Sequence, residues 1–180
     1  MTVLSNILAM LLLMILPESA QLGADTLATG SEAPRFFANY LNGGDFFLSR
    51  KVGDKARLTE KSPVILSFFS TTCIPCRQEI PFLDSLQAEF PQVSFFLVDV
   101  NEEPQIVKDY IRKMQYKIPV LIDRYGQVAK KYEVNITPTL VCIDTDGRVV
   151  FYKRGFKASE KPHIRAQVKK LLPNKSAAGE

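Results

Sequence analysis

Residues 67–81 read Ser67-Phe68-Phe69-Ser70-Thr71-Thr72-Cys73-Ile74-Pro75-Cys76-Arg77-Gln78-Glu79-Ile80-Pro81. An apolar run ends just before the two cysteines, and an amphipathic run begins just after them. A strand that leads into a helix would place both cysteines at the helix N-terminus, where unpaired backbone N–H groups and the positive end of the helix dipole lie. That field stabilises a thiolate, which is the species that attacks disulfides. The stretch is therefore a candidate redox centre.

The residues on both sides of this stretch complete a strand–helix–strand unit. Residues 64–69 are nearly all apolar, which is typical of a strand buried on both faces of a parallel sheet. After the cysteines, apolar residues recur at helical spacing from Phe82 to Phe90. Residues 93–100 are again almost wholly apolar and predict a second buried strand. A strand, a helix and a parallel strand form a right-handed crossover unit.

Further elements extend this unit in both directions. Residues 33–40 and 46–48, separated by a Gly-rich turn, predict an N-terminal hairpin. An inserted helix over 104–114 and a short strand over 120–123 follow the second buried strand. The segments predicted after them are a short helix over 127–132, a hairpin with strands over 139–143 and 149–152, and a closing helix over 161–172.

The two ends of the chain differ from its middle. Residues 3–16 are almost wholly apolar, which suits a signal-peptide core and is short for a membrane span. Residues 1–28 are therefore interpreted as a signal peptide or an N-terminal membrane anchor. Either one delivers the following domain outside the cytoplasm, where disulfides persist. A buried N-terminal helix is the alternative. Residues 173–180 are small and polar and predict a flexible tail.

Composition narrows the class of protein. The chain has 180 residues, a net charge of +4 and 46% apolar residues, which is the composition of a globular domain and not of a disordered chain. It has no dense Lys/Arg run with interleaved aromatic residues, so nucleic-acid binding is not predicted. Three cysteines are too few for a disulfide scaffold, and the odd count leaves at least one unpaired or paired with another chain.

Together these elements resemble the thioredoxin fold, and more closely the exported TlpA/ResA-like thiol-disulfide oxidoreductases. The resemblance rests on Gly30-Ser31-Glu32-Ala33-Pro34, on residues 64–81 with their Cys-x-Pro-Cys motif, on Thr137-Pro138 and on Asp144-Thr145-Asp146-Gly147. It spans residues 30–172. It implies an α/β thioredoxin fold, in which a central mixed sheet is flanked by helices, with an N-terminal β-hairpin and an inserted helix and strand.

The resemblance also implies a function. Such proteins exchange dithiols and disulfides with protein partners through a redox disulfide, here Cys73–Cys76, and they need no cofactor or metal. The reducing direction is expected, for example in cytochrome c maturation outside the cytoplasm. A membrane-embedded or other upstream thiol reductant would then restore the dithiol.

Each cysteine has a role within this resemblance. Cys73 lies at the helix start, so we expect it to be the more exposed sulfur and the nucleophile that attacks a partner's disulfide. Cys76 lies one turn deeper and is expected to attack Cys73 and release the reduced partner. Pro75 fixes the geometry between them and removes one N–H donor near the sulfurs.

The substrate is expected to bind beside the cysteines. Ile74 and Pro75 lie between the two sulfur-bearing residues, and Thr137 with Pro138 precedes the strand expected next to the active-site strand. In the family the matching proline is cis and faces the cysteines, and the backbone of Thr137 would pair with an extended substrate segment. A trans proline at the entrance of a strand is the alternative.

Glu79 lies three residues after Cys76, on the same face of the predicted helix. The resemblance places a glutamate near the cysteines here, where it would raise the pKa of the thiols and relay a proton from Cys76. An exposed helix glutamate is the alternative. Thioredoxins themselves carry a buried acid at the position of Ser67, which this sequence lacks. It also lacks the family's tryptophans at Phe69 and Thr72, which leaves substrate preference and reduction potential open.

Other interpretations remain. Cys142 and His163 could complete a zinc site with the cysteine pair, but Cys142 lies in an apolar strand and is better explained as a core residue, and His163 as a surface residue. The domain could also be a low-turnover binding or chaperone-like module, or a metal carrier that uses the cysteine pair. Asp99 and Asp123 end predicted strands and are given no chemistry.

Overall fold

The structure is a computed structural model that describes Leu27 and residues 29–172. The predicted signal peptide or anchor, residues 1–28, lies outside the described residues apart from Leu27, and so does the predicted tail, residues 173–180. Among the residues that are described, no helix has both the length and the apolar character needed to cross a membrane.

Seven strands form one mixed sheet in the described part of the chain. In chain order they are β1 (Phe37–Tyr40), β2 (Asp45–Phe47), β3 (Val64–Phe69), β4 (Ser94–Asp99), β5 (Val120–Ile122), β6 (Thr139–Ile143) and β7 (Val149–Arg154). Their order across the sheet is β2-β1-β5-β4-β3-β6-β7. Strands β3, β4 and β5 are parallel to one another, whereas the other neighbouring pairs are antiparallel.

Helices cover both faces of this sheet. In chain order they are α1 (Leu48–Lys51), α2 (Cys76–Glu89), α3 (Pro104–Met114), α4 (Gln127–Lys131) and α5 (Lys161–Lys170), with a 3-10 turn over Ala158–Glu160. Buried residues of α2, α3 and α5 pack on one face, and those of α1 and α4 pack on the other. The predicted fold class, with its N-terminal hairpin and inserted helix and strand, is confirmed.

Strand β3 lies inside the sheet and sends alternate side chains to opposite faces. Ile65 and Phe69 pack beneath α2, whereas Leu66 and Phe68 pack in the core on the other face. All four are at most 1% exposed, which explains why this segment is almost wholly apolar. Ser67 is the polar exception, and it points toward α2.

The N-terminal segment differs from its prediction in two places. β1 begins at Phe37 and not at Ala33, because Pro34 has no N–H to donate to a ladder, and the Ala33 N–H donates to a carbonyl in the β6–β7 turn. Leu48, predicted to end a strand, begins the single turn of α1, where its side chain is buried. Tertiary contacts decide both boundaries. Elsewhere the predicted boundaries agree within two residues.

Candidate active site

Cys73 and Cys76 form a disulfide at the junction of β3 and α2, with their Cα atoms 5.3 Å apart. Cys76 is the first residue of α2, and Cys73 lies in the loop before it. Cys76 is fully buried, whereas Cys73 is 7% exposed. Cys73 is therefore the more accessible residue of the pair.

The backbone around the pair supplies few donors to the sulfurs. The Cys76 N–H donates to Cys73 Sγ at 3.2 Å. Pro75 caps the start of α2 and has no N–H of its own. Ile74 lies between the cysteines, and its side chain is 70% exposed. A thiolate at Cys73 would therefore be stabilised by one backbone donor and the helix dipole.

The Thr137–Pro138 peptide bond is cis, as the resemblance implies, and not the trans alternative. Strand β6 begins directly after Pro138 and pairs antiparallel with β3, with Phe68 opposite Thr139. Pro138 therefore lies beside the end of β3 that leads into the cysteine loop. Thr137 is half-buried next to it, at the surface where a substrate segment is expected.

Glu79 is a buried acid, not the exposed helix glutamate that was the alternative. It is 0% exposed, and its Oε2 accepts a hydrogen bond from Ser67 Oγ at 2.7 Å. Its Oε1 has no hydrogen-bond partner among the described residues. Burial raises the pKa of Glu79 to about 7, and the Ser67 hydrogen bond opposes that rise.

The carboxyl of Glu79 takes the place of the acid that the position of Ser67 lacks. From the sequence, the acid–base helper of the cysteines could be Glu79, another group or water. The structure places an acid beside Ser67, because the side chain of Glu79 reaches from α2 to the Ser67 hydroxyl. The strand contributes the hydroxyl and the helix contributes the carboxyl.

Glu102, which the sequence does not single out, holds the other side of the cysteine loop. Its carboxylate accepts hydrogen bonds from the Thr71 N–H at 2.7 Å and from Thr71 Oγ1 at 2.6 Å. Thr71 lies two residues before Cys73, so these bonds restrain the entrance to the active-site loop. Thr71 and Glu102 are 31 residues apart and follow two different strands, β3 and β4. No local sequence pattern therefore predicts their contact.

Asp99 ends the parallel strand β4 and accepts from the Glu102 N–H, and Asp123 comes directly after the parallel strand β5. Asp99 is buried, and its Oδ1 has no partner among the described residues. Burial raises the pKa of Asp99 to about 7, and the nearby Glu102 carboxylate adds to that rise. Asp123 Oδ2 accepts from the Ala129 N–H at 2.7 Å. The carboxyl ends of parallel strands meet at one edge of a sheet. By that rule the sequence could have predicted that Asp99 and Asp123 lie close together.

The two positions that lack tryptophan are filled differently. Phe69 is fully buried and stacks on Tyr110, with ring centroids 6.4 Å apart. Thr72 is exposed, and its hydroxyl lies 3.4 Å from that of Ser70. One site therefore keeps an aromatic ring in the core, whereas the wall beside Cys73 is small and polar.

The remaining cysteine, Cys142, lies in the core, and the histidine, His163, lies at the surface. Cys142 is fully buried in β6, and burial raises the pKa of its thiol to about 12, with a smaller contribution from the charge of Glu79. His163 is exposed, and its ring lies against Phe151. Within the described residues, no group of three or more His, Cys, Asp or Glu side chains could hold a metal ion.

Comparison with known proteins agrees with this site. The AhpC/TSA family pattern matches residues 29–152. A thiol-disulfide oxidoreductase ResA of Bacillus thuringiensis subsp. konkukian is 30% identical over 151 residues, which cover 83% of this chain and 82% of that protein. ResA of Bacillus subtilis is 30% identical over 130 residues, which cover 71% of this chain and 68% of that protein.

Comparison with solved structures also finds a thiol:disulfide interchange protein. A thiol:disulfide interchange protein DsbE of Chlorobium tepidum superposes with a TM-score of 0.74 at 27% identity, covering 82% of this chain and 100% of that chain. The strand, the disulfide and the helix described above are thus part of a fold shared with such proteins. The chain belongs to the AhpC/TSA family, in its ResA-like group of thiol-disulfide oxidoreductases.

Proposed function

We propose that this protein is an exported reductant that converts disulfides of other proteins to dithiols through Cys73 and Cys76. The observation that carries the proposal is the disulfide at the start of α2, with the buried Glu79 carboxyl one turn further along the same helix. The two sulfurs carry both electrons, so no resident cofactor is needed. The carboxyl offers a place for the proton that the exchange moves.

In the first half of the reaction, the Cys73 thiolate attacks one sulfur of the substrate disulfide. The bond between the two substrate sulfurs breaks, and a Cys73–substrate disulfide forms. The second substrate sulfur leaves as a thiolate, which takes a proton from water. Cys73 is the attacking residue because it is the more exposed of the pair and because the Cys76 N–H donates to its sulfur.

In the second half, the Cys76 thiol gives its proton to the Glu79 carboxylate. The Cys76 thiolate attacks Cys73 Sγ, the bond between Cys73 and the substrate sulfur breaks, and the Cys73–Cys76 bond forms. That substrate sulfur leaves as a thiolate and takes a proton from water, and Glu79 returns its proton to water. The substrate has then gained two electrons and two protons, and the two cysteines have lost two electrons. A pKa near 7 suits Glu79 to this proton transfer at neutral pH. An upstream dithiol reductant would restore the reduced pair.

The reducing direction is supported by the surroundings of the sulfurs. An enzyme of this class becomes a strong oxidant when its reduced, thiolate form is stabilised. Here Pro75 removes one N–H donor, and an ionised Glu79 in the core opposes a second negative charge nearby. Both features disfavour the thiolate, so both lower the reduction potential.

The substrate surface is expected beside Pro138. Ile74 and Ile136 are large apolar residues that are 70% and 52% exposed. Ile74 lies between the two cysteines, and Ile136 comes directly before Thr137 and its cis bond. An extended segment of a protein substrate could pair with the backbone of Thr137 and cover these side chains. The family resemblance suggests cytochrome c maturation as an example of the process served, because thiols of an exported polypeptide must be kept reduced there.

The midpoint reduction potential tests the direction. Equilibration of the full chain in thiol redox buffers is expected to give a value near that of thioredoxin, about −270 mV, and not near that of DsbA, about −120 mV. A Cys142→Ala variant is the control and should keep the same potential, because that thiol lies outside the pair. A midpoint above about −180 mV would make the protein an oxidant and contradict the proposal.

Export is the second part of the proposal and rests on residues 1–28. A fusion of these residues to alkaline phosphatase, which is active only where its own disulfides form, is expected to be active in a bacterial host. A Leu12→Arg change in the same fusion places a charge in the apolar segment and should abolish the signal. An inactive unchanged fusion, present at normal levels, would place the protein inside the cytoplasm.

A further inference from the structure

Lys153 faces the same side of the sheet as the buried carboxyl of Glu79. Lys153 of β7 pairs with Leu140 of β6, and Leu140 pairs with Ser67 of β3. Side chains of directly paired residues lie on the same face of a sheet. Ser67, Leu140 and Lys153 therefore form a row across three strands on one face of the sheet. Since Ser67 Oγ donates to Glu79 Oε2, the Glu79 carboxyl lies at one end of this row and Lys153 at the other.

The amine of Lys153 is held at the edge of the core. Its side chain is only 15% exposed and forms an ion pair with Glu160 at 2.8 Å. It also donates to the carbonyl of Gly155 at 2.7 Å. Glu160 in turn accepts from the backbone N–H of Lys157 at 2.7 Å. Lys153 and Glu160 therefore have fixed places, from which they can act on Glu79 through their charges without bonding to it.

The charges that face Glu79 come from several elements. Lys153 on β7 lowers the pKa of Glu79 and Glu160 on the 3-10 turn raises it, after the larger effects of burial and of the Ser67 hydrogen bond. Cys142 on β6 is a neutral thiol at physiological pH, and the cysteine pair on α2 is a disulfide. Glu79 itself is 0% exposed, so nearby charges act on its carboxyl more strongly than they would on a surface carboxyl.

We propose that Lys153 and Glu160 are positioning residues that act through Glu79, and that their opposite charges set the pH range in which Glu79 accepts a proton from Cys76. The inference rests on the proposed function. Lys153 favours the carboxylate form of Glu79, and Glu160 limits that effect. Since the resolving step transfers a proton from Cys76 to this carboxylate, the ion pair sets the pH range of disulfide exchange.

Titration of Glu79 itself tests the inference. Carbon-13 NMR of the oxidised full chain with labelled glutamate carboxyls reports each midpoint, and loss of one signal in Glu79→Gln assigns it. Lys153→Met is expected to raise the Glu79 midpoint by about one pH unit, and Glu160→Gln is expected to lower it by a smaller amount. A general loosening of the core would move both variants in the same direction.

Two further variants serve as controls. Lys153→Arg keeps the charge and should restore a midpoint close to that of the unchanged protein. Lys130→Met removes an exposed lysine from α4, on the opposite face of the sheet, and should leave the midpoint unchanged. The pH midpoint of mixed-disulfide resolution should shift in the same direction as the Glu79 midpoint in each variant.

Two outcomes would overturn different parts of this account. If Lys153→Met and Glu160→Gln leave the Glu79 midpoint unchanged, or move it in the same direction, the inference is wrong even when the protein exchanges disulfides normally. If the unchanged protein exchanges no disulfide at any pH, the proposed function is wrong, and the NMR midpoints then show whether the ion pair still acts on Glu79.

Discussion

A Cys76→Ser variant is expected to stop halfway through the reaction, joined to its substrate by a disulfide at Cys73. Cys73, the more accessible of the pair, can still attack, but no second thiol remains to release the substrate. Turnover should fall by roughly three orders of magnitude or more, as when a covalent catalyst loses an essential residue. Non-reducing electrophoresis and mass spectrometry of the complex should give the summed mass of protein and substrate, and dithiothreitol should release it.

Matched variants make this result specific. Cys73→Ser should trap no complex, because Cys76 is fully buried and cannot reach a protein substrate. Cys142→Ala should turn over normally, because that thiol is buried in β6 with a pKa of about 12. A stable complex in Cys73→Ser and none in Cys76→Ser would reverse the proposed order of attack.

A Glu79→Gln variant is expected to be more stable than the unchanged protein at alkaline pH. The pKa of Glu79 rises from 4.5 to about 7 on folding, so between these values the unfolded chain releases a proton that the folded protein keeps. The free energy of unfolding therefore falls as pH rises through this window. At 1.36 kcal/mol per tenfold change in proton affinity, the loss above pH 8 is about 3 kcal/mol. The glutamine side chain carries no charge, so the variant should not lose this stability at alkaline pH.

Urea unfolding of the oxidised protein and the variant at several pH values measures the effect. The difference in stability should be small near pH 4, where Glu79 is protonated in both states, and should grow to about 3 kcal/mol above pH 8. Glu89→Gln, on the exposed part of the same helix, is the control, since its ion pair with Arg165 is a surface pair of small value. A difference that stays constant with pH would show that Glu79 is not buried as an acid.

The same variant separates stability from catalysis. If Glu79 accepts the proton of Cys76, glutamine should slow resolution of the mixed disulfide at pH 7 by roughly 10²-fold. Formation of the mixed disulfide, which depends on Cys73, should change much less. An unaltered resolution rate in a stabilised Glu79→Gln protein would leave the residue as a buried acid without a part in the reaction.

The sequence was informative wherever the signal is local. Residues 64–69 are apolar because both faces of β3 are covered, and the cysteines follow at once, so the strand, the redox pair and the helix could be predicted together. The inserted helix over 104–114 was predicted to the residue, because Pro104 marks its first turn and its apolar face has regular spacing.

Local signals were weaker at the N-terminus and at the strand ends. The hydrogen bond from the Ala33 N–H to the β6–β7 turn and the burial of Leu48 moved two boundaries there, since both depend on what the chain packs against. Glu102 could not be predicted to hold Thr71, because their contact joins the ends of two segments 31 residues apart. No periodicity within either segment records that contact.

The sequence by itself determined the fold class, through segments and motifs spread over residues 30–172. It also determined the Cys73–Cys76 pair and its position at a helix start, because these depend on the order of residues within one short stretch. The tertiary structure alone decided that Glu79 is buried, that Ser67 donates a hydrogen bond to it and that Lys153 lies on the same face of the sheet. The physical reason is that a carboxyl acquires its proton affinity from its surroundings. Here those surroundings come from β3, β6, β7 and a 3-10 turn, which only the folded sheet brings to one face.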